Sequence, residues 1–524
     1  MQSQEIIRFC MEQGVLVDTD ILSIFSEVSD IESVKIIIEK IKNYTNQKII
    51  SKSVFDQNKD KVKEFFLELP KENQEKLEQL SVKLGLSIEI SRRDLDVAPG
   101  EKKVSVQIEN APAQSVKILS HDPMNSKKLE VNDFVVYFRN RFDELRKILQ
   151  EHAELTNLVS INKISGSRQN ISVIGLVSDI RKTKNGNLLM QIEDLTGKIN
   201  VLVNKDKKEL FEEAEKITLD SVIGFGCSGS KEILFVNSIV FPDARLPEKK
   251  HANVEEYAVF AGDLHLGSKL FMEENFLKFI DYLNGKVPNT PEVEKIKYLF
   301  LVGDLVTGIG NYPNQENEIL LTDLESQFER VSELLGKIRS DIQIIISPGN
   351  HDGVRLMEPQ PLLNEKYAWQ LYNMKNVVLT QNPCVVNIGT NQGFSGFNVL
   401  TYHGFSLFHY GDNINYLMRQ KATHAPELIM KYLLKNRHLA PTHASTQYFP
   451  GEKDAHLIRQ VPDIFVAGHT HKSAVSYYNN ILVVSVSGWE AMTPYMEKRG
   501  AKPDFCKVPL VNLKTRAVKI LDFE

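Results

Sequence analysis

YAVFAGDLHLGS, residues 257–268, sets a short apolar run directly against a polar turn that carries Asp263 and His265. The pattern returns downstream. YLFLVGDLV at 298–306 delivers Asp304, IQIIISPGNHD at 342–352 delivers Asn350 and His351, NVLTYHG at 398–404 delivers His403, and IFVAGHTHK at 464–472 delivers His469 and His471. Short apolar strands alternating with helical stretches mark an α/β layered domain, here residues 251–524. Polar groups released at the carboxyl ends of neighbouring strands converge in one crevice, because that is where the loops meet. The segments therefore predict a single site.

Two Asp, one Asn and five His form a mixed oxygen and nitrogen donor set. Such a set suits manganese, iron or zinc better than the oxygen-only shell magnesium prefers, and its size predicts a binuclear centre. Glycine beside each motif (Gly262, Gly303, Gly349, Gly404, Gly468) lets the chain turn and lets backbone approach a phosphate. In GDLHLG and GHTH the paired donors are two residues apart, so an extended strand end would point both side chains the same way. His409, His424, His438, His443 and His456 lie outside any such motif and read as packing or surface residues.

Upstream the pattern changes. Residues 1–86 show helical periodicity in ILSIF, VKIIIEKI and VKEFFLEL, with Ser29 and Glu32 as a capping box. Residues 87–128 are rich in turn formers and charge, with one short strand candidate at VSVQIE, and read as a flexible linker. Residues 129–250 open with a helix that Asn132 can cap, its apolar stripe carrying Phe134, Phe138, Leu145 and Ile148. ISVIGLVSDIRKT, LLMQIED and KINVLVN, a short helix, then SVIGFGCSG and ILFVNSIVF follow in the order of a five-stranded OB barrel. Phe211, Phe225 and Phe235 are nearly all the aromatics it offers for stacking bases, which favours a barrel that packs against a neighbour.

With 63 basic and 68 acidic residues the formal net charge is −5, so no global cationic field draws the chain to nucleic acid. No apolar run approaches a bilayer span and MQSQEIIRFCMEQG lacks the form of a secretory signal, so an intracellular, cytoplasmic protein with no membrane partner is expected. Cys10, Cys227, Cys384 and Cys506 are too scattered for a disulfide or zinc framework and read as free thiols.

D-x-H, GD, GNHD, HG and GHTH in this order resemble the calcineurin-like metallophosphoesterase superfamily, whose fold is a layered β-sandwich flanked by helices. The resemblance implies one cation on Asp263, His265 and His471, a second on Asn350, His403 and His469, and Asp304 bridging them. It implies His351 as the acid that protonates the leaving group. Serine/threonine phosphatases of the superfamily usually carry GD-x-x-DRG and GNHE, whereas this chain reads GDLVTGIG and GNHD. Without that arginine to clamp a terminal phosphate, a diester is the expected substrate.

A narrower resemblance covers residues 125–524. GLVSDIRKTKNG, EDLTGKINVLV, DLHLGSKLF, KIKYLFLVGDLVTGIGNYPNQE, IIISPGNHDGVRLMEPQP, RHLAPTH and VPDIFVAGHTHK look like the small subunits of archaeal family D DNA polymerases, relatives of the eukaryotic polymerase B subunits. That family implies a multidomain chain: an N-terminal helical domain, an OB barrel and an α/β metallophosphoesterase domain. It also implies a proofreading 3'-5' exonuclease using two divalent ions, manganese with iron or zinc as alternatives. Its partners would be a large catalytic polymerase subunit, the primer 3' end, and a sliding clamp or other replication proteins, at the nucleoid. Two rival expectations are a catalytically silent scaffold that docks the large subunit and a stand-alone metallophosphatase.

Overall fold

The computed structural model describes residues 2–18, 21–22, 25, 31–45, 49–50, 116–120, 128–498 and 500–524. The chain divides into two compact units, residues 1–109 and 110–524. In the first, helices Gln2–Glu12 and Ile31–Thr45 bury Ile6, Val34, Ile38 and Ile41. Two short strands, Leu16–Val17 and Ile49–Ile50, pair in parallel beside them. The expected helix at VKEFFLEL, the capping box at Ser29 and the strand at VSVQIE lie outside the described residues.

The second unit holds the site. One six-stranded sheet runs Val377–Leu379, Gln343–Ser347, Ile296–Val302, Tyr257–Ala261, Lys507–Asn512, Val518–Asp522. A second runs Ala474–Tyr478, Ile481–Ser485, Ile464–Ala467, Phe397–Tyr402, Cys384–Ile388, Val116–Ile118. Their inner faces meet through Phe260, Phe300, Val302, Val399, Val466 and Val484, all inaccessible to solvent. Helices Glu273–Leu283 and Leu324–Leu335 cover the outer face of the first sheet, with Trp489 wedged against Phe276 and Phe279. Helices Leu407–Asn413 and Pro426–Asn436 cover the second. Every strand that precedes a predicted donor is thus buried on both faces, which explains its unbroken apolar run. Val116–Ile118, inside the stretch read as linker, pairs antiparallel with Cys384–Ile388 and forms the sheet's last strand.

Residues 169–240 form a closed barrel in the strand order Gln169–Lys182, Leu188–Asp194, Gly197–Val203, Ile233–Val240, Val222–Ser230. Phe225 sits in its core and Phe235 is 44% exposed. The helix before it, Val131–Gln150, starts one residue ahead of Asn132, and its end is closed by the Glu130 N–H donating to Asp133 Oδ2 at 2.9 Å. Its buried seam is Tyr137, Arg141, Leu145 and Leu149 with Phe142, whereas Phe134, Phe138 and Ile148 of the expected stripe are only partly covered. Leu145, Leu149 and Phe142 pack on the barrel through Ile174, Val222 and Val240.

Arg141 carries the helix's other contact. Its Nε donates to Asp454 Oδ2 at 2.7 Å and its Nη1 to the Pro441 carbonyl at 2.6 Å, both from a site closed to solvent. Tyr137 donates to Asp454 Oδ1 at 2.6 Å, and His438 Nε2 lies 2.8 Å from Asp454 Oδ2. A buried arginine survives only with its counter-charge and hydrogen bonds in place, so this cluster fixes the helix to the two-sheet domain. His438 and His456, expected as packing or surface residues, are buried members of it.

Candidate metal centre

The strands end at Ala261, Val302, Ser347, Tyr402 and Ala467, and the predicted donors lie just beyond. Backbone hydrogen bonds carry the ladders into the loops: Asp263 N–H donates to Gly303 O at 2.9 Å, Gly303 N–H to Ser347 O at 3.0 Å, and Gly468 N–H to His403 O at 2.9 Å. The loops are not extended, however. Asp263, His265, Asp304, His469 and His471 all adopt left-handed backbone, with φ of 49°, 49°, 49°, 68° and 51°. The paired donors of D-x-H and H-x-H therefore face one cavity because the chain coils at both members, and not because an extended strand aligns them. Each such non-glycine residue costs on the order of 1–3 kcal/mol, a cost that structures tolerate where geometry serves a site.

The structure brings all eight predicted residues together. Asp263, His265 and His471 offer ligand atoms within 4.8 Å of one another, as do Asp304, His403 and His469, and as do His265, Asp304 and His351. Asn350 Oδ1 joins the second group at 2.9 Å from His403 Nε2. Asp304 Oδ2 lies 3.2 Å from His403 Nε2 and 3.8 Å from His265 Nε2, the place of a bridging carboxylate. Gly349 and Gly468 permit this closeness, since a Cβ would lie 2.3 Å from Asp304 Oδ1 at the first and 2.7 Å from Asp263 Oδ2 at the second.

The electrostatics fit cations. His265 Nε2 and His471 Nε2 face each other at 3.0 Å. That gap suits an Nε2–H···Nε2 hydrogen bond between neutral rings, and two bonds of about 2.0–2.1 Å to one ion at a right angle would span it equally. Burial holds His265 and His469 well below the usual imidazole range and takes His471 down to about 4, so these rings are neutral, the form that ligates. Burial also pushes Asp263 up, while at Asp304 the cost of burial is outweighed by His403, which holds the carboxyl well below its usual range. At His403 burial again opposes the charge and Asp304 reverses it, raising the ring to about 10. His403 Nδ1 lies 3.3 Å from the Val302 carbonyl, which can only accept, so Nδ1 carries a proton and Nε2 faces the cleft.

His351 has a different setting. Its N–H donates to Asp304 Oδ1 at 2.8 Å, and its Nδ1 lies 2.8 Å from the Thr307 carbonyl. Asn311 Nδ2 also lies 3.0 Å from Nδ1, and the ring stands beside that of His265 at a centroid distance of 4.8 Å. Asn311 Nδ2 and Gln315 Nε2 donate to the same carbonyl at 3.0 and 2.9 Å.

Several supporting residues escaped the sequence reading. Asp352 accepts from Val306 N–H at 3.0 Å and Gly349 N–H at 2.7 Å, tying the second and third loops together. It is the last residue of GNHD, so its motif position was visible. Asn382 Oδ1 accepts from His403 N–H at 2.8 Å, and its Nδ2 donates to Gln360 Oε1 at 2.7 Å. Neither lies in a motif, and only the fold brings them to the site.

Comparison with known proteins agrees with the fold. Residues 258–476 match the family of DNA polymerase alpha/epsilon B subunits, and residues 171–228 match the OB-fold nucleic acid binding domain. A chain of two packed sheets with an OB barrel ahead of them is thus similar to the class of polymerase B subunits. The chain is 34% identical over 398 residues to the DNA polymerase II small subunit of Methanothermobacter thermautotrophicus, covering 75% of this chain and 80% of that one. It is 33% identical over 470 residues to the Pyrococcus horikoshii small subunit, covering 87% and 73%, and 34% identical over 402 residues to that of Thermoplasma acidophilum, covering 75% and 78%. The chain belongs to the archaeal DNA polymerase II small subunits, the family the long sequence runs resembled.

Proposed function

We propose that this chain is the proofreading 3'-5' exonuclease of a two-subunit archaeal replicative polymerase. One observation supports the reading: Asp304 stands between His265 on one side and His403 with His469 on the other, and its carboxylate accepts from the His351 N–H. Asp263, His265 and His471 would hold one divalent ion, Asn350, His403 and His469 the other, with Asp304 between them. The oxygen and nitrogen donors favour manganese, with iron or zinc as alternatives. When bound, a pair of such ions supplies Lewis acidity to a phosphodiester and activates water near neutral pH. A doubly protonated His351 would give its Nε2 proton to the departing 3' oxygen, a role worth typically 10²–10⁴-fold in rate.

Membership of a polymerase small-subunit family implies a large catalytic subunit and DNA as partners. A sliding clamp and other replication proteins are further candidates at the nucleoid. A silent scaffold would have no reason to hold buried Asp and His in mutual contact across three loops with five left-handed residues. A stand-alone phosphatase lacks support from the barrel and from GDLVTGIG.

The test uses the full-length chain, wild type and His351→Ala, with 3'-mismatched DNA, para-nitrophenyl phosphate and a bis-diester, with and without manganese. The reading expects manganese-dependent release of 5'-mononucleotides, faster from a mismatched end, and a variant that keeps its metal while losing turnover. Hydrolysis of the monoester alone would overturn it.

A further inference from the structure

Two aromatic side chains stand against the centre and take no part in holding cations. Phe405 lies with its ring centroid 5.4 Å from that of His469, tilted by 38°, and Phe408 meets the same ring edge-on at 5.4 Å. Both are partly exposed, while Ser406 and Leu407 between them are closed to solvent. The turn that presents them is pinned from below. Ser406 N–H donates to Tyr402 Oη at 3.1 Å, Ser406 Oγ donates to the Leu439 carbonyl at 2.7 Å, and Leu407 N–H donates to Gly404 O at 2.9 Å. Gly404, at φ 111°, makes the turn immediately after His403. The two rings are therefore held in place before any ligand arrives, which limits the ordering cost of a contact with them.

We propose that Phe405 and Phe408 form the stacking surface for the base at an unpaired DNA 3' end. The substrate in this inference rests on the nuclease reading. A phosphate drawn to His403, His469 and Asn350 brings its own nucleoside beside the ring of His469, and that is where these aromatics stand. Aromatic faces stack on any base, so the contact is indifferent to sequence. It is not indifferent to pairing, because a terminal base must leave its partner and its stack to reach a protein ring. The pair thus favours a frayed or mismatched end. The barrel does not offer such a surface, with Phe225 in its core and Phe235 alone strongly exposed among the three aromatics of the sequence reading.

The test compares single strands ending in a normal 3' nucleotide or in an abasic one, cut by the full-length chain with manganese, for wild type, Phe405→Ala, Phe408→Ala and Phe405→Trp. Stacking predicts that wild type has a KM about 5- to 150-fold lower for the strand with a terminal base. The alanine variants lose that ratio without loss of kcat at saturation, and Phe405→Trp keeps it. A second readout needs no turnover: the fluorescence of a 3'-terminal 2-aminopurine, quenched by wild type and not by the Phe405→Ala, Phe408→Ala double variant. Cleavage with the wild-type ratio intact in both alanine variants overturns the stacking surface and leaves the nuclease standing. Quenching without cleavage does the reverse, and absence of both overturns both.

Discussion

His265 Nε2 and His471 Nε2 lie 3.0 Å apart although 206 residues separate them in sequence, each delivered by a different sheet. At that distance one neutral ring can donate Nε2–H to the other, and an ion between them would replace that hydrogen bond with two coordinate bonds. Replacing His471 with Ala should remove the ion shared with Asp263 and spare the one held by Asn350, His403 and His469. Metal analysis of the manganese-loaded, gel-filtered protein would show a halved content. Full retention of both ions would contradict the assignment of His471.

At Gly349 a Cβ would lie 2.3 Å from Asp304 Oδ1 and 2.4 Å from Asp304 N. Gly349→Ala must therefore displace the bridging carboxylate or the loop that follows it. The expected cost is about 1–3 kcal/mol in urea denaturation, as for other overpacked sites, with weakened metal uptake. Wild-type stability and metal content would show that the loop yields without moving Asp304.

Asp454 is the counter-charge of a fully buried Arg141, and Tyr137 and His438 also bond to it. Burial opposes its ionisation, but His438 and Arg141 outweigh that and hold the carboxyl well below its usual range. Asp454→Asn strands the guanidinium, and the expected loss is about 3–5 kcal/mol. Equilibrium denaturation measures it. A loss under about 1 kcal/mol would mean that water or a neighbouring group takes over the charge.

His456 makes stability depend on pH. Tyr137 gives its proton to Asp454, so its oxygen accepts from His456 Nδ1 at 3.2 Å, while His456 Nε2 donates to Glu358 Oε2 at 2.9 Å. Both ring nitrogens thus act as donors. Burial lowers the ring's pKa, but Asp454 and Glu358 more than reverse this, raising it to about 9. Because the folded value exceeds the unfolded one of about 6.5, the stabilisation is complete below that pH and is lost as pH rises through about 9. His456→Gln should flatten this slope in thermal melts between those values. An unchanged difference between wild type and variant across the window would refute the charged ring.

Much of the fold and the whole donor set could be read from the chain, because a strand buried on both faces leaves an unbroken apolar run and its motif follows at once. The five barrel strands were legible for a related reason, since hairpin turns at NGN and TG punctuate them. The buried seam of helix Val131–Gln150 was not, because its central member is Arg141, a residue that hydropathy assigns to solvent. Only the distant Asp454 makes its burial tolerable, and no local pattern announces a partner 313 positions away. His438 and His456, read as packing or surface residues, are buried by the same distant partner. The backbone of the donor loops also differed from expectation: two-residue spacing suggested an extended segment, and the left-handed turns at Asp263 and His265 reach the same cavity by another path.

Val116–Ile118 lies ahead of the barrel in sequence yet closes the outer edge of the second six-stranded sheet by pairing with Cys384–Ile388. The barrel is therefore not a bead that precedes the layers on the string but an insertion between two parts of one sheet. Trimming the chain to the residues after the barrel would strip the outer row of N–H and C=O groups along Cys384–Ile388, a ready template for pairing with a second copy. Whether a shortened form pairs with itself thus depends on three residues from the stretch read as a linker.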